Sequence, residues 1–394
     1  MKILYVTTIL GTIDSFLIPH IQYLIQLGNE VSIACETEGE EVSNELRELG
    51  CPIHQVSFKR SPFNKENIKA YKQIQHLLRR EGFNLIHVHT PVAAFITRLA
   101  ARNISNVSVL YTAHGFHFFK GAPKKNNLLF YGLERLAANW TDGVITMNNE
   151  DFEAAQTFSL RRRDSVFKVH GVGLNLSKFK PQSDEIKKKL REEYHYGEDD
   201  FILINVGELS YRKHQDLVIK AVGKLKGHIQ NIKLLLVGSG EWEEDYRKLV
   251  KKMGLEREVI FLGYRTDIHN LMILSDLAVT SSRHEGLPVN VMEAMASGLP
   301  IVASDVRGNH DLVKDGINGF VFGVDDVGGC AATIERIYYS EELRKRFSTE
   351  SSKTITSYSQ ERVLEEMEQI YEKYLIAAGK EKIGYSGEKS RILG

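Results

Sequence analysis

FILINVGELSYRKHQDL, residues 201–217, holds one unit of the fold: a short apolar run, a glycine turn, then a stretch with helical spacing. The apolar run is rich in β-branched residues and too short for a helix, so it reads as a buried strand. The same unit recurs downstream around IKLLLVG (232–238), EVIFLG (258–263), DLAVTS (276–281) and LPIVAS (299–304). Upstream it recurs around KILYVTT (2–8), EVSIAC (30–35), FNLIHVH (83–89), VSVLYTAH (107–114) and GVITMN (143–148). Strands alternating with helices specify βαβ units and parallel sheets. The series breaks at HGVGLNLSKFKP (170–181), where two glycines and a closing proline mark a linker. The expected fold class is therefore α/β, with two Rossmann-like domains over residues 1–170 and 183–358 joined by a linker over 171–182. A last helix over about 359–376 is expected to pack back on the first domain, and 379–394 reads as a polar tail.

The bulk numbers exclude several classes. Fifty-one Lys+Arg balance 51 Asp+Glu in 394 residues, so the basic excess of a general nucleic-acid binder is missing. Cys35, Cys51 and Cys330 form no CxxC pair, which argues against a disulfide framework or a cysteine zinc site. In MKILYVTTILG, Thr7, Thr8 and Gly11 interrupt the apolar run, so it reads as a first strand and not as a signal segment. No run of 18 apolar residues predicts a transmembrane helix. The expectation is a cytosolic protein, with peripheral contact to the inner face of the cytoplasmic membrane left open.

Ligands of open α/β sheets bind beyond the carboxyl ends of the strands, so the cleft between two such domains is the expected site. HEGLPVNVMEAMASGLP (284–300) supplies chemistry there. Pro288 suits a helix start and Gly298 with Pro300 marks its end, predicting a helix from Pro288 to Ser297. Glu285 then lies in the preceding loop and Glu293 in the second turn, its side chain tilted back toward the helix start. The amides from Leu287 to Asn290, except at Pro288, are free at the positive end of the helix and suit a phosphate. Vicinal hydroxyls suit the carboxylates, so a sugar nucleotide fits the set; an N-cap acid and a solvated glutamate are the plainer alternative.

Other loops add candidates. In NVGELSYRKHQDL (205–217), Arg212 and Lys213 stand at a helix start, where a cation is mildly unfavourable unless it serves a ligand. TAHGFHFFKGAPKK (112–125) puts Phe116, His117, Phe118 and Phe119 beside Lys120, Lys124 and Lys125. That mixture suits a lipid-diphosphate acceptor or an anionic membrane surface, or else a solvated face. FKRSPF (58–63) has the same character. His87 and His89 share one face of a strand, and with His114 and His117 they invite a zinc reading, but no suitable carboxylate or cysteine accompanies them. VGSGEWEE (237–244) lacks the third glycine of a dinucleotide fingerprint, and GEDD (197–200) reads as a solvated turn. No metal and no cofactor are expected.

These motifs, in this order, resemble the retaining glycosyltransferases of family 4, which have the GT-B fold of two facing Rossmann-like domains. HEGLPVNVMEAMASGLPIVAS resembles the family's E-x7-E segment, and the likeness continues through VIFLGYRTDIHNLMILSDLAVTSSRHEG, DLVKDGINGFVF, NLIHVHTP, TAHGFH and GVGLNLSKFKP. It spans about residues 1–376 and looks nearest to bacterial capsule and exopolysaccharide enzymes. The resemblance implies that Glu293 binds the donor ribose and Glu285 the transferred sugar. It implies that the amides around Gly286, Leu287 and Val289 hold phosphate, and it places Gly263 and Tyr264 on the donor. Lys213 stands where the family neutralises the donor diphosphate. The family's partner arginine is Glu208 here, which leaves Arg212 as the candidate second cation. His114 matches a histidine near the reacting sugar. Gly11 matches a phosphate loop that has two glycines in the family and one here.

The implied reaction is metal-independent transfer of a hexose or N-acetylhexosamine from a UDP-sugar, with retention, to a lipid-linked saccharide in polysaccharide synthesis. A UDP-N-acetylglucosamine 2-epimerase shares the fold but not the basic-aromatic loop. An NAD-dependent oxidoreductase would need GxGxxG. A non-catalytic nucleotide-sugar-binding protein would keep the phosphate site alone.

Overall fold

The computed structural model describes residues 1–181 and 183–375, so the polar tail at 379–394 lies outside the described residues. The first sheet contains β1 (Lys2–Ile9), β2 (Glu30–Glu36), β3 (Ile53–Gln55), β4 (Leu85–Val88), β5 (Ser108–Ala113), β6 (Gly143–Thr146) and β7 (Val166–Lys168). Its strand order is β3-β2-β1-β4-β5-β6-β7, all parallel. The second contains β8 (Phe201–Val206), β9 (Ile232–Val237), β10 (Val259–Gly263), β11 (Leu277–Thr280), β12 (Ile301–Ser304) and β13 (Gly319–Phe322), in the order β10-β9-β8-β11-β12-β13. Both are doubly wound, with the strand order reversing beside β1 in one and beside β8 in the other.

Burial on both faces explains why the strands read as continuous apolar runs. Every residue of β4, β5, β11 and β12 is buried, because helices cover both sides of a parallel sheet. Register is tight where it matters: Ile3 pairs with Val31 on one side and Leu85 on the other.

The chain crosses between the domains twice. The linker residue Leu174 donates its N–H to the carbonyl of Tyr358 (2.9 Å), and its carbonyl accepts from Gln360 N–H (2.9 Å). Gly173, at φ 83°, lies so close to Gln360 that a β-carbon would stand 2.8 Å from its Cα. The helix Gln360–Leu375 then returns to the first domain, where Val363, Met367, Ile370, Tyr371 and Tyr374 join the core of Ile3, Tyr5 and Leu110. A β-carbon at Gly143 would meet the Tyr374 hydroxyl at 2.1 Å, so this docking requires the glycine in β6.

Candidate active site

The carboxyl ends of β1, β4 and β5 face those of β8, β11 and β12 across the interdomain cleft. The domains touch backbone to backbone at its centre. A β-carbon on Gly286 would fall 1.8 Å from the carbonyl oxygen of His114, and one on Gly115, at φ 131°, 2.9 Å from Gly286 Cα. Only glycine admits so close an approach. Beside this contact lies a cavity of about 340 Å3, lined from both domains by Thr90, Tyr111, His114, His117, Leu287 and Val289 among others. Thr90 sits at φ 54°, strained for a β-branched residue. Its hydroxyl oxygen accepts the N–H of Thr8 at 2.9 Å, which helps hold the turn at the cavity wall.

Glu285 lies before the helix Val289–Ala296 and is buried. Pro288 caps that helix from outside, one residue later than the sequence places its start, and the Asn290 side chain pins its first turn to the carbonyl of Val206 at 2.7 Å. Lys213 Nζ reaches Glu285 Oε1 at 2.7 Å and Arg212 Nη1 reaches Oε2 at 3.0 Å, one cation on each oxygen. Burial alone would raise the Glu285 carboxyl, but the two cations hold it down at about 2. The cation loop is itself strained: His214 sits at φ 56°, and Ser281 Oγ donates to its carbonyl at 2.7 Å. Glu293, in the second turn, has the opposite electrostatics. Burial pushes it up to about 7, and Lys178 only partly offsets this.

On the other wall, His114 Nε2 and His89 Nδ1 are 3.0 Å apart. Burial pushes His114 down to about 4, so it is a neutral imidazole near neutral pH. His87 lies behind them, between Tyr371 Oη and Thr112 Oγ1, both at 2.7 Å. The returning helix thus backs this histidine layer. Among the described residues no group of three or more His, Cys, Asp or Glu is placed to hold a metal ion.

The structure corrects the aromatic loop. Phe116 and Phe118 are 1% and 9% exposed and stack on each other at 4.8 Å inside the N-terminal core, so neither stands out from the surface toward a membrane. Two-residue alternation turns them inward and His117 outward. Phe119 is half-buried and stacks at 4.6 Å on His284 of the other domain. Lys120, Lys124 and Lys125 are exposed. The amide of Gly11 already donates to Glu40 Oε2 at 2.6 Å, so a phosphate there would have to displace a carboxylate. Gly263 ends β10 at φ 64°, and Tyr264 beside it is 79% exposed, outside the lining of the cleft cavity.

Three residues that the sequence did not single out, Arg307, Asp151 and Asn148, join the domains. Arg307, after β12, is buried; its Nε donates to the Glu285 carbonyl at 2.8 Å. Its Nη1 meets Asp151 Oδ1 at 2.7 Å and its Nη2 donates to the Phe116 carbonyl at 2.9 Å, both in the first domain. Asp151 also accepts from Asn148 Nδ2 at 2.8 Å and from the Phe116 amide at 3.1 Å. Asn148 in turn donates to the Gly286 carbonyl at 3.0 Å. The only signal for Arg307 was its place in a glycine loop after a buried strand.

Residues 19–167 match the family described as Glycosyltransferase Family 4, and residues 186–354 match Glycosyl transferases group 1. EpsD of Bacillus subtilis (strain 168), a provisionally named glycosyltransferase, is 38% identical over 97% of this chain and 99% of its own. A UDP-Gal:alpha-D-GlcNAc-diphosphoundecaprenol alpha-1,3-galactosyltransferase of Escherichia coli is 28% identical over 69% of this chain and 70% of its own. Among solved structures, Anabaena Alr3699/HepE in complex with UDP and glucose superposes with a TM-score of 0.77 at 19% identity, covering 95% of this chain and all of that one. Sucrose-phosphate synthase from Thermosynechococcus elongatus gives 0.79 at 18% identity over 96% and 100% of the two chains. With both family models matched in sequence order and a full-length relative at this identity, the chain belongs to the family 4 type of glycosyltransferases, on a GT-B fold.

Proposed function

We propose that this glycosyltransferase moves a hexose or N-acetylhexosamine from a UDP-sugar, with retention, to a hydroxyl of a lipid-linked saccharide in capsule or exopolysaccharide synthesis. The observation that carries the reading is the Lys213–Glu285–Arg212 cluster at the cleft. A nucleoside diphosphate brings more negative charge than one carboxylate, so it competes for both cations. Once they turn to the diphosphate, Glu285 is free to accept hydrogen bonds from sugar hydroxyls. The bond from the anomeric carbon to the β-phosphate oxygen breaks, and the acceptor oxygen forms its bond on the same face. The acceptor proton passes to a phosphate oxygen, and UDP leaves. Charge grows on that leaving group, and preorganised cations stabilise it most in the transition state. They do so in place of a divalent ion. Glu293 takes the ribose hydroxyls, the amides at Leu287 and Val289 take phosphate, and neutral His114 faces the sugar. Domain closure at Gly115 and Gly286 excludes water.

UDP as the donor nucleotide and an isoprenoid diphosphate on the acceptor follow the names of relatives: the diphosphoundecaprenol galactosyltransferase, and solved neighbours bound to UDP. A capsule role accords with the capsular polysaccharide glycosyltransferase CapM of Staphylococcus aureus, 23% identical over 90% of this chain and 93% of its own. No helix among the described residues is long and apolar enough to cross a membrane. The exposed lysines at 120, 124 and 125, with Leu128 at 78% exposure, are the surface by which a cytoplasmic enzyme would meet an anionic membrane. The test incubates purified protein with a panel of UDP-sugars and an isoprenoid diphosphate-linked sugar, and reads UDP release and the anomer formed by NMR. An inverted anomer would reject retention; hydrolysis without transfer to any hydroxyl acceptor would reject transfer.

A further inference from the structure

Beside the cleft the first domain carries a second cavity, of about 230 Å3. Phe63, Val92, Phe95, Ile96, Phe130 and Leu133 form its apolar wall. Pro91 and His117 line both this cavity and the cleft cavity, so it runs as a trough along the border of the cleft. Its polar members are mostly committed. Glu134 holds Arg98 at 2.8 Å and accepts from Tyr111 Oη at 3.2 Å. The His117 ring sits edge-on to Phe130 at 5.2 Å. Arg60 at the rim is the exception, exposed and without an ion pair among the described residues, whereas the adjacent Lys59 faces Glu36 and Glu66. Phe63, beside it, is 75% exposed. An apolar wall with one uncompensated cation at its edge fits an amphiphile with an anionic group.

We propose that this trough holds the isoprenoid chain of the acceptor nearest its diphosphate. Arg60 faces the diphosphate, and the attached saccharide passes His117 into the cleft. The assignment rests on the acceptor reading above. Branched methyl groups fill a wall built of Val92, Ile96 and Leu133 more completely than a straight chain does.

The protein carries its own reporter. Trp140 packs edge-on against Phe95 at 6.0 Å, and the other tryptophan, Trp242, belongs to the second domain. In a Trp242→Phe background, farnesyl diphosphate should shift Trp140 emission saturably, at least tenfold tighter than dodecyl phosphate, and inorganic diphosphate should leave it unchanged. Phe63→Ser and Arg60→Glu alter exposed side chains, so the fold should survive, and each should weaken farnesyl diphosphate about tenfold. In transfer assays each should raise KM for the isoprenoid-linked acceptor similarly, with kcat held. No saturable shift, equal binding of dodecyl phosphate, or indifference to both substitutions overturns the trough. Transfer to the lipid acceptor that is unmoved by Phe63→Ser and Arg60→Glu would leave the acceptor reading standing and the trough rejected. Farnesyl diphosphate binding with no transfer to any isoprenoid-linked saccharide would do the reverse.

Discussion

Asp151 and Arg307 form a buried ion pair, 2.7 Å long and 156 residues apart, whose members belong to different domains. The same guanidinium holds the carbonyl of Glu285. The pair exists only when the cleft is closed at this point, so closing the cleft and setting the Glu285 backbone are one event.

Arg307→Ala strands Asp151 in the interface, and an unpaired buried charge costs about 3–5 kcal/mol. The variant should shift to an open form, seen as a larger radius of gyration by small-angle scattering, and lose transfer by two orders of magnitude or more. Asp151→Asn should lose less, and the double variant should be no worse than Arg307→Ala alone. Additive losses would reject the coupling.

Lys213→Ala should lower kcat by about 100- to 1,000-fold, as loss of one transition-state donor does. Arg212→Ala should cost less, because its contact to Glu285 is longer and more exposed. Circular dichroism should show both folded. Near-normal turnover in Lys213→Ala would remove it from the reaction.

Glu293 gives a pH signature. Its carboxyl sits at about 7 in the fold against an ordinary value of 4.5. A raised pKa means that the folded chain binds the proton more tightly, so stability is full below about pH 4.5 and falls as pH rises toward 7. Glu293→Gln should therefore be more stable than the parent at pH 8, by about 1–3 kcal/mol, and melt higher. The gap should close by about pH 4.5. UDP affinity of the parent should instead rise with pH through about 7, as the carboxylate proposed to hold the ribose ionises, and that rise should vanish in Glu293→Gln. A pH-independent difference in melting would contradict the assignment.

Membrane contact can be separated from folding. Lys120, Lys124 and Lys125 changed to Glu should abolish flotation with anionic liposomes and leave the melting temperature within a few degrees. Phe116→Ser should instead unfold the first domain, since the side chain is 1% exposed in its core. Equal flotation of the triple variant and the parent would reject docking through this surface.

The strands were legible because burial on both faces leaves an unbroken apolar run, and the helix at Val289 because proline and glycine punctuate it. The three-residue strands Ile53–Gln55 and Val166–Lys168 offer no period to read. Aromatic residues beside lysines looked like surface, yet alternation across the turn sent Phe116 and Phe118 inward, because side-chain direction there follows backbone geometry and not neighbour charge. Arg307 was silent for a different reason: its carboxylate partner is 156 positions away, and nothing local in either segment announces it.

The paired crossings at Leu174 and Gln360 have a kinetic consequence. One covalent tether between two bodies permits tumbling in every direction; two tethers hydrogen-bonded side by side leave essentially a single rotation. Any opening of the cleft is therefore expected to be a swing about this pair of crossings. Such a swing would return Gly286 to His114 and Arg307 to Asp151 along one coordinate, which makes reassembly of the site a one-dimensional problem.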